Sequence, residues 1–390
     1  MEREKHQAHS SSLRDYGVAD QMIIGIDVTP GCKTKPTGIE LYCRNIVQNL
    51  ISDSGNHKYR LYAKTPIEDF FDLNENCEVV ILRDSPFWYH TSLAVELFKR
   101  PVDVFYTPSH ILPILNRSKS VYTIHDAGFR HYRKNYSTYQ FIHSHINTYF
   151  SLKYCSRIIA ISEFVAKDVS QHYKIDPGKI SVIHNGFDPQ SVEQTKDPHE
   201  IEKQIGIAGP FALFVGRLEQ RKNVVRIIRA FAACVERGDV EGQLVLAGSP
   251  GEGYSEILEA IKDVNLGDKI ILPGYISDEA KAFLFQRARM LVYPSLYEGF
   301  GLPILEAFSA GIPVITSSTT SCPEIAADAA IIVNPAVQTE ISDAISRLWD
   351  DEQLRNDLIE RGRVRCRDFG WKESASLILQ TLENLNRRQI

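Results

Sequence analysis

The chain has 390 residues, enough for two or three domains at the common size of about 150 residues each. Its 43% hydrophobic and 24% charged residues match soluble globular proteins and exclude a disordered, collagen-like or fibrous chain. With 44 Lys and Arg against 49 Asp and Glu, the net charge of −5 implies no polyanion-binding surface and argues against a nucleic-acid partner.

Residues 1–21 are polar and charged without an apolar signal-peptide core, and read as a disordered extension outside the fold. Beyond them, β-branched and aromatic runs alternate with segments of helical period, which is the α/β signature. The predicted strands of the first half are Met22–Val28, Tyr59–Lys64, Val79–Leu82, Val104–Thr107, Ser120–His125, Arg157–Ser162 and Ile180–His184. Their near-continuous apolar character fits strands of a parallel sheet, covered on both faces. Ile39, Tyr42, Ile46 and Leu50 give the clearest helix a single apolar stripe that must pack on that sheet. From Pro189 to Gly209 the apolar pattern lapses, placing a domain boundary there. The second half predicts strands Phe211–Val215, Leu244–Ala247, Ile270–Leu272, Met290–Tyr293, Val314–Thr316 and Ala330–Val333, with helices near 224–236, 254–264, 278–288, 303–310 and 337–349. The expected organisation is two tandem Rossmann-like, doubly wound parallel-sheet domains facing a central cleft. They span 22–200 and 201–370, and 371–390 form a C-terminal helix packing back toward the first domain. Apolar stretches such as Phe211–Val215, Ala230–Val235 and Ala329–Val333 fall far short of the roughly 18 residues of a membrane span, so any membrane contact is expected to be peripheral. Seven scattered cysteines without a Cys-x-x-Cys pair suggest neither a disulfide framework nor a zinc site, and fit a reducing cytoplasm.

Four places in the sequence could carry chemistry. Tyr297-Glu298-Gly299-Phe300-Gly301-Leu302-Pro303-Ile304-Leu305-Glu306 joins a strand to a helix. Pro303 suits the first helical turn, while Gly299 and Gly301 would let the backbone approach a ligand. The amides of Gly301 and Leu302, aided by the helix dipole, favour an anion. Glu298 before the turn and Glu306 about one turn into the helix would bracket one polyhydroxylated anion. In Gly216-Arg217-Leu218-Glu219-Gln220-Arg221-Lys222-Asn223, Arg217 and Lys222 would converge on the same anion from the open cleft, with Asn223 capping the next helix. His125 and Asp126 end a strand whose carboxyl end points at the cleft. Pro36-Thr37-Gly38 opens the first helix. Metalloprotease, P-loop, nucleophile-elbow and Gly-x-Gly-x-x-Gly motifs are all absent, as is an Asp-x-Asp platform for a metal on a diphosphate. His143 and His145, two residues apart, fall on different faces of a helix and do not form a metal pair.

Taken together, these motifs resemble the retaining glycosyltransferases of family four, which have the GT-B fold. The resemblance runs over nearly all of 22–371 and rests on the Glu298-x7-Glu306 motif enclosing Gly-Phe-Gly-Leu-Pro. It also rests on Gly216-Arg217 followed by Lys222, His125-Asp126, Ile161-Ser162-Glu163-Phe164, His184-Asn185-Gly186-Phe187-Asp188 and Gly311-Ile312-Pro313-Val314-Ile315. It implies that Glu298 contacts the transferred sugar, Glu306 binds the nucleotide ribose, Arg217 and Lys222 hold the diphosphate, and His125 hydrogen-bonds the donor sugar near the reacting centre. Gly38, Gly216, Gly299, Phe300, Gly301 and Leu302 complete the implied donor site, with no metal and no cofactor, the nucleotide sugar being a substrate. The first loop departs from the family's Gly-Gly-x-Gly-Arg-like run, having only Thr37-Gly38-Ile39-Glu40.

The resulting expectation is a retaining, metal-independent transferase moving a hexosyl group, mannosyl favoured, to a glycan or lipid-linked glycan acceptor in cell-surface polysaccharide synthesis. A nucleotide-sugar 2-epimerase of the same architecture and a catalytically silent sugar-binding subunit stay open as alternatives. Three basic residues interleaved with five aromatics in Phe129–Phe141 suit an anionic membrane presenting the acceptor, from the cytoplasmic face, with Phe87, Trp88 and Tyr89 as further exposed aromatics. The competing expectation is that those aromatics pack inward.

Overall fold

The computed structural model describes residues 21–34, 38–53, 56–109, 111–113, 115–189 and 198–387. Residues 1–20 of the expected disordered extension lie outside these, as do Pro36, Thr37 and 388–390.

Two all-parallel sheets organise the chain. The first holds β1 (Ile23–Asp27), β2 (Lys58–Ala63), β3 (Cys77–Ile81), β4 (Val104–Thr107), β5 (Lys119–Ile124), β6 (Arg157–Ala160) and β7 (Ile180–Val182), in the order β3-β2-β1-β4-β5-β6-β7. The second holds β8 (Phe211–Val215), β9 (Gln243–Ala247), β10 (Ile270–Gly274), β11 (Met290–Tyr293), β12 (Val314–Ser317) and β13 (Ile331–Val333), in the order β10-β9-β8-β11-β12-β13. Each predicted strand is present within two residues of its expected ends. The central strands β4 and β11 are buried at every position, as expected of strands covered on both faces.

Around the first sheet lie α1 (Gly38–Ser52), α2 (Ala94–Lys99), α3 (Gly128–His131), α4 (Thr138–Tyr154) and α5 (Glu163–Tyr173). Then α6 (Pro198–Ile205) stands inside the stretch where the apolar pattern lapses and the domain boundary is expected. It is a helix because Ile201 and Ile205, one turn apart, rest on the core while the remaining positions are polar, a stripe too short to stand out in the sequence. The second sheet carries α7 (Val224–Glu236), α8 (Tyr254–Val264), α9 (Asp278–Arg287), α10 (Leu302–Ala310), α11 (Cys322–Ala326), α12 (Gln338–Asp350) and α13 (Glu352–Cys366). Finally α14 (Trp371–Arg387) lies on α1. Its Trp371 ring meets Tyr42 edge-on at 6.0 Å, its Glu383 bonds His57 at 3.0 Å, and Lys119 Nζ donates to its Leu385 carbonyl.

Strand order reverses beside β1 and β4 in the first sheet and beside β8 and β11 in the second. Crevices open at the carboxyl ends of strands at such reversals, and the loops after β8 and β11 carry the Gly216–Lys222 and Tyr297–Gly301 runs.

The expectation of an exposed aromatic face over 129–141 is corrected. Phe129 is buried, Tyr132, Tyr136 and Phe141 are half-buried, and Arg130 and Arg133 spread over the rings of Tyr173 and Phe141 at 5.1 and 4.5 Å. Of Phe87, Trp88 and Tyr89, Trp88 is buried, with Lys64 5.5 Å from its ring centroid, and Tyr89 is half-buried; Phe87 alone is exposed. The exposed apolar row lies further along α4, where Tyr139, Ile142, Ile146, Tyr149, Phe150 and Tyr154 recur at near-helical spacing toward solvent.

Candidate active site

After β8 the chain passes through Gly216, whose φ of +149° suits glycine, to Arg217, which is solvent-exposed. A 3₁₀ turn over Gln220–Lys222 then carries Lys222 back beneath the end of the sheet. Lys222 is 7% exposed and Glu298 6%, and their Nζ and Oε1 atoms are 2.5 Å apart. Tyr293, the last residue of β11, accepts from Lys222 Nζ at 2.9 Å and donates its hydroxyl to Glu298 Oε1 at 2.7 Å. Arg221 Nη1 stands 4.0 Å from Glu298 Oε2, while its Nε donates to Glu219 at 2.5 Å. Burial by itself would raise the Glu298 pKa. The charges of Lys222 and Arg221 and the bonds from Lys222 and Tyr293 outweigh it, holding the carboxyl below its usual range. Burial also works against the Arg221 charge, yet Glu298, Asp126 and Glu219 hold that guanidinium more firmly protonated than usual.

Two expectations change here. Lys222 is a buried ion-pair partner and not an open cleft cation, leaving Arg217 as the exposed one. Asn223 sits at the helix start in a left-handed conformation without a capping bond, because its Oδ1, the atom a cap would use, accepts from Arg226 Nη1 at 2.8 Å while its Nδ2 donates to the carbonyls of Pro294 and Pro335 at 3.0 and 2.7 Å.

The loop bearing Glu298 is fastened to the first domain. Tyr297 Oη accepts from the Ala127 amide and donates to Asp168 Oδ2, both at 3.1 Å, and Ser162 Oγ donates to the Gly299 carbonyl at 2.8 Å. A Cβ at Gly299 would lie 2.3 Å from the His125 carbonyl oxygen, so glycine is required there by the approach of the other domain's backbone. That corrects the expectation that Gly299 clears space for a ligand. Phe300 is likewise packed, between His184 and Phe369 at 6.1 and 5.8 Å, so its side chain contributes to the domain contact and not to a donor pocket. Gly301, with φ of +109°, starts α10, and Pro303 occupies the first turn as expected.

Glu306 lies a turn into α10, ion-paired with Lys281 of α9. It faces a cavity of about 330 Å³ between the domains, lined also by Leu41, Arg44 and Asn45 of α1, Asp188, Leu302 and Trp371. Gly38 borders the same region, since a Cβ there would be 3.9 Å from Leu302 Cδ1. The starts of α1 and α10 therefore face each other across the cleft. His125 is 5% exposed, its ring edge-on to Tyr42 at 4.8 Å, with Nε2 donating to the Pro108 carbonyl at 2.8 Å. From the other quoted motifs, His184 bonds Glu324 across the domains at 2.6 Å, and Glu324 also accepts the Glu163 and Phe164 amides.

The structure thus gathers Lys222 and Glu298 in one cluster and Gly38, Leu302 and Glu306 around one cavity. Residues the sequence reading missed are Arg221, Tyr293 and Tyr297 in the cluster and its anchor, and Lys281 beside Glu306. Arg221 stands next to Lys222 in a run already singled out, but only the 3₁₀ turn shows which cations of that run turn inward.

Two Rossmann-like units with their strand ends opposed make the GT-B fold, which the chain shares with HepE of Anabaena, a structure solved with UDP and glucose. The two are 19% identical with a TM-score of 0.72, covering 93% of this chain and 100% of that one. A model described as Glycosyl transferases group 1 matches residues 197–365, and one described as Glycosyltransferase Family 4 matches residues 36–191. The chain belongs to the family-four glycosyltransferases. It is 35% identical over 162 residues to the O-antigen chain mannosyltransferase B of Escherichia coli, 42% of either chain. To the O-antigen chain mannosyltransferase RfbU of Salmonella typhimurium it is 27% identical over 248 residues, 64% of either chain. The matched parts therefore span less than two thirds of these relatives.

Proposed function

We propose that this protein transfers a hexosyl group, mannosyl by preference, from a nucleoside-diphosphate sugar to a glycan acceptor in cell-surface polysaccharide synthesis, with retention of anomeric configuration. The observation that carries the proposal is the buried Lys222–Glu298–Arg221 cluster at the β8/β11 strand ends, beside the start of α10 and against the first domain's His125 backbone. Breaking the bond between the anomeric carbon and the diphosphate sends its electron pair to the diphosphate and leaves oxocarbenium character on the sugar. Lys222, Arg217 and the amides opening α10 stabilise the departing charge, each well-placed donor contributing on the order of 3 kcal/mol. Glu298, held ionised, sits where it can face the sugar, and Glu306 on the adjacent cavity faces the ribose. The acceptor oxygen bonds to the anomeric carbon on the face the diphosphate leaves, and its proton passes to a donor phosphate oxygen. Neither metal nor cofactor enters this scheme. The close fit between domains around Gly299 supports exclusion of competing water. The O-antigen mannosyltransferase relatives support the mannosyl preference and the polysaccharide setting.

The acceptor is proposed to be lipid-linked and met at the membrane surface. No helix among the described residues is long and apolar enough to cross a membrane, so contact would be peripheral. Its support is the exposed row on α4, from Tyr139, 71% exposed, to Tyr154, with Lys153 between its rings. The test incubates the protein with GDP-, UDP-, dTDP- and ADP-sugars, with and without a lipid-linked oligosaccharide, in EDTA, and reads the product linkage by NMR. Transfer from one donor with retained configuration is expected. An inverted product, an epimerised donor formed without acceptor, or complete loss of turnover reversed by Mg²⁺ would overturn the proposal.

A further inference from the structure

Away from the donor cavity, His131 at the end of α3 and His172 near the end of α5 converge on Asp168, one turn before His172. His131 Nε2 lies 2.9 Å from Asp168 Oδ1, and His172 Nδ1 lies 3.0 Å from the same oxygen. The three ligand atoms all fall within 4.8 Å of one another. The Asp168 carboxylate is 5% exposed, and its ion-pairing partners among the described residues are these two imidazoles, with no lysine or arginine. Both imidazoles keep an open side toward solvent, which supplies an entry path.

A buried carboxylate is costly without a cation, and neutral imidazoles offset that cost only through hydrogen bonds. We propose that His131, Asp168 and His172 bind a borderline-soft divalent cation, with Zn²⁺ as its type. Two imidazole nitrogens and one carboxylate oxygen form an open three-ligand set, which favours zinc, cobalt or nickel over magnesium, whose preference is for oxygen. Ligand bonds of roughly 2.0–2.1 Å put tetrahedral ligand atoms about 3.4 Å apart, so the two nitrogen–oxygen separations need only a few tenths of an ångström of adjustment. Binding replaces the hydrogen bonds from His172 Nδ1, including the one to its own-helix Asp168 carbonyl at 2.8 Å, and that from His131 Nε2 by metal bonds, each neutral imidazole moving its one proton to its other ring nitrogen by exchange through solvent, with no net proton lost. Water or a small ligand takes the remaining position.

Tyr297 gives this site a specific link to the second domain. Its hydroxyl donates to Asp168 Oδ2, the oxygen that His131 Nε2 also approaches at 3.1 Å and His172 leaves to it, and its ring lies 4.9 Å from that of His131. The residue directly before Glu298 thereby orients the metal-binding carboxylate, and the cation fastens the loop of Glu298 to α3 and α5. This role is structural and regulatory, separate from the metal-free scheme for transfer.

The test uses the full chain, stripped with EDTA, dialysed and titrated with ZnCl₂ by calorimetry against a competing chelator. Expected is one equivalent bound at micromolar or tighter affinity, weakened at least a hundredfold in His131→Gln/His172→Gln. Tyr297→Phe should weaken it by about ten- to a hundredfold, the usual effect of losing a group that orients a ligand. The stripped variants' melting curves report folding; if the double variant fails to fold, His172→Gln alone, with its half-exposed ring, is the readout. Co²⁺ added to stripped wild type should give visible d–d absorption characteristic of nitrogen and oxygen ligation at low coordination number, absent in the histidine variant. Equal Zn²⁺ binding by wild type and histidine variant, or no binding by wild type at 100 µM, would overturn the site. The readouts are metal binding, so they stand or fall independently of glycosyl transfer.

Discussion

Replacing Lys222 by methionine removes the ammonium that faces Glu298 and keeps most of the side-chain volume. Glu298 is left 6% exposed with Tyr293 Oη at 2.7 Å and Arg221 at 4.0 Å, so one strong partner is lost while two weaker ones remain. Breaking a buried pair costs about 3–5 kcal/mol. With Arg221 still near, the low end applies, about 3 kcal/mol, or roughly 6–12 °C in melting temperature for a domain of this size. Arg217→Ala removes an exposed cation, and should stay within about 0.5 kcal/mol of wild type. Both substitutions should lower turnover about a hundredfold or more, since both cations are assigned to the departing diphosphate. Calorimetric melting separates the two roles of Lys222. Adding Glu298→Gln to Lys222→Met should recover most of the lost stability without restoring turnover, because the uncompensated charge is gone. A Lys222→Met protein melting within a degree of wild type, or a double variant no more stable than the single one, would refute the buried-pair reasoning.

Glu306→Gln should weaken calorimetric binding of the free nucleoside diphosphate, while Glu298→Gln should spare it and weaken the intact sugar donor; the reverse pattern would exchange their roles. Asp27, wholly buried at the end of β1, is pushed from 3.8 to about 6, chiefly by desolvation and against hydrogen bonds from Thr29. Its proton is held more tightly folded than unfolded, so its contribution is full below pH 3.8 and is lost as the pH rises through 6. Asp27→Asn should accordingly gain up to about 3 kcal/mol at pH 7 and flatten urea-melt stability between pH 4 and 6. Gly299→Ala should separate the domains at the His125 carbonyl, costing about 1–3 kcal/mol and depressing turnover, measured by melting and transfer assays.

The central strands such as β4 and β11 were legible in the sequence because burial on both faces demands an unbroken apolar run, and such a run ends where the polar loop begins; edge strands such as β3, only partly buried, were marked by β-branched residues instead. The end of the apolar run alone places Gly216–Lys222 and Tyr297–Gly301 in the loops that follow strand ends. The helix entry at Pro303 was equally local, resting on the missing amide hydrogen of proline and the freedom of Gly301. Composition could not say which cation of Arg217, Arg221 and Lys222 turns inward, since burial depends on a 3₁₀ turn and on Tyr293 and Glu298 arriving from another strand. Nor could it assign the purpose of Gly299, whose neighbour is a carbonyl 174 positions earlier in the chain. His131, Asp168 and His172 show the same limit. His143 and His145 drew attention by adjacency and fell on separate helix faces, whereas the cluster that forms takes one histidine from α3 and an aspartate and histidine from α5. Periodicity and caps are properties of neighbouring residues and survive in the sequence. Ion pairs, close backbone approaches and ligand sets are properties of elements folded against each other, and the packing of the two sheets decided them.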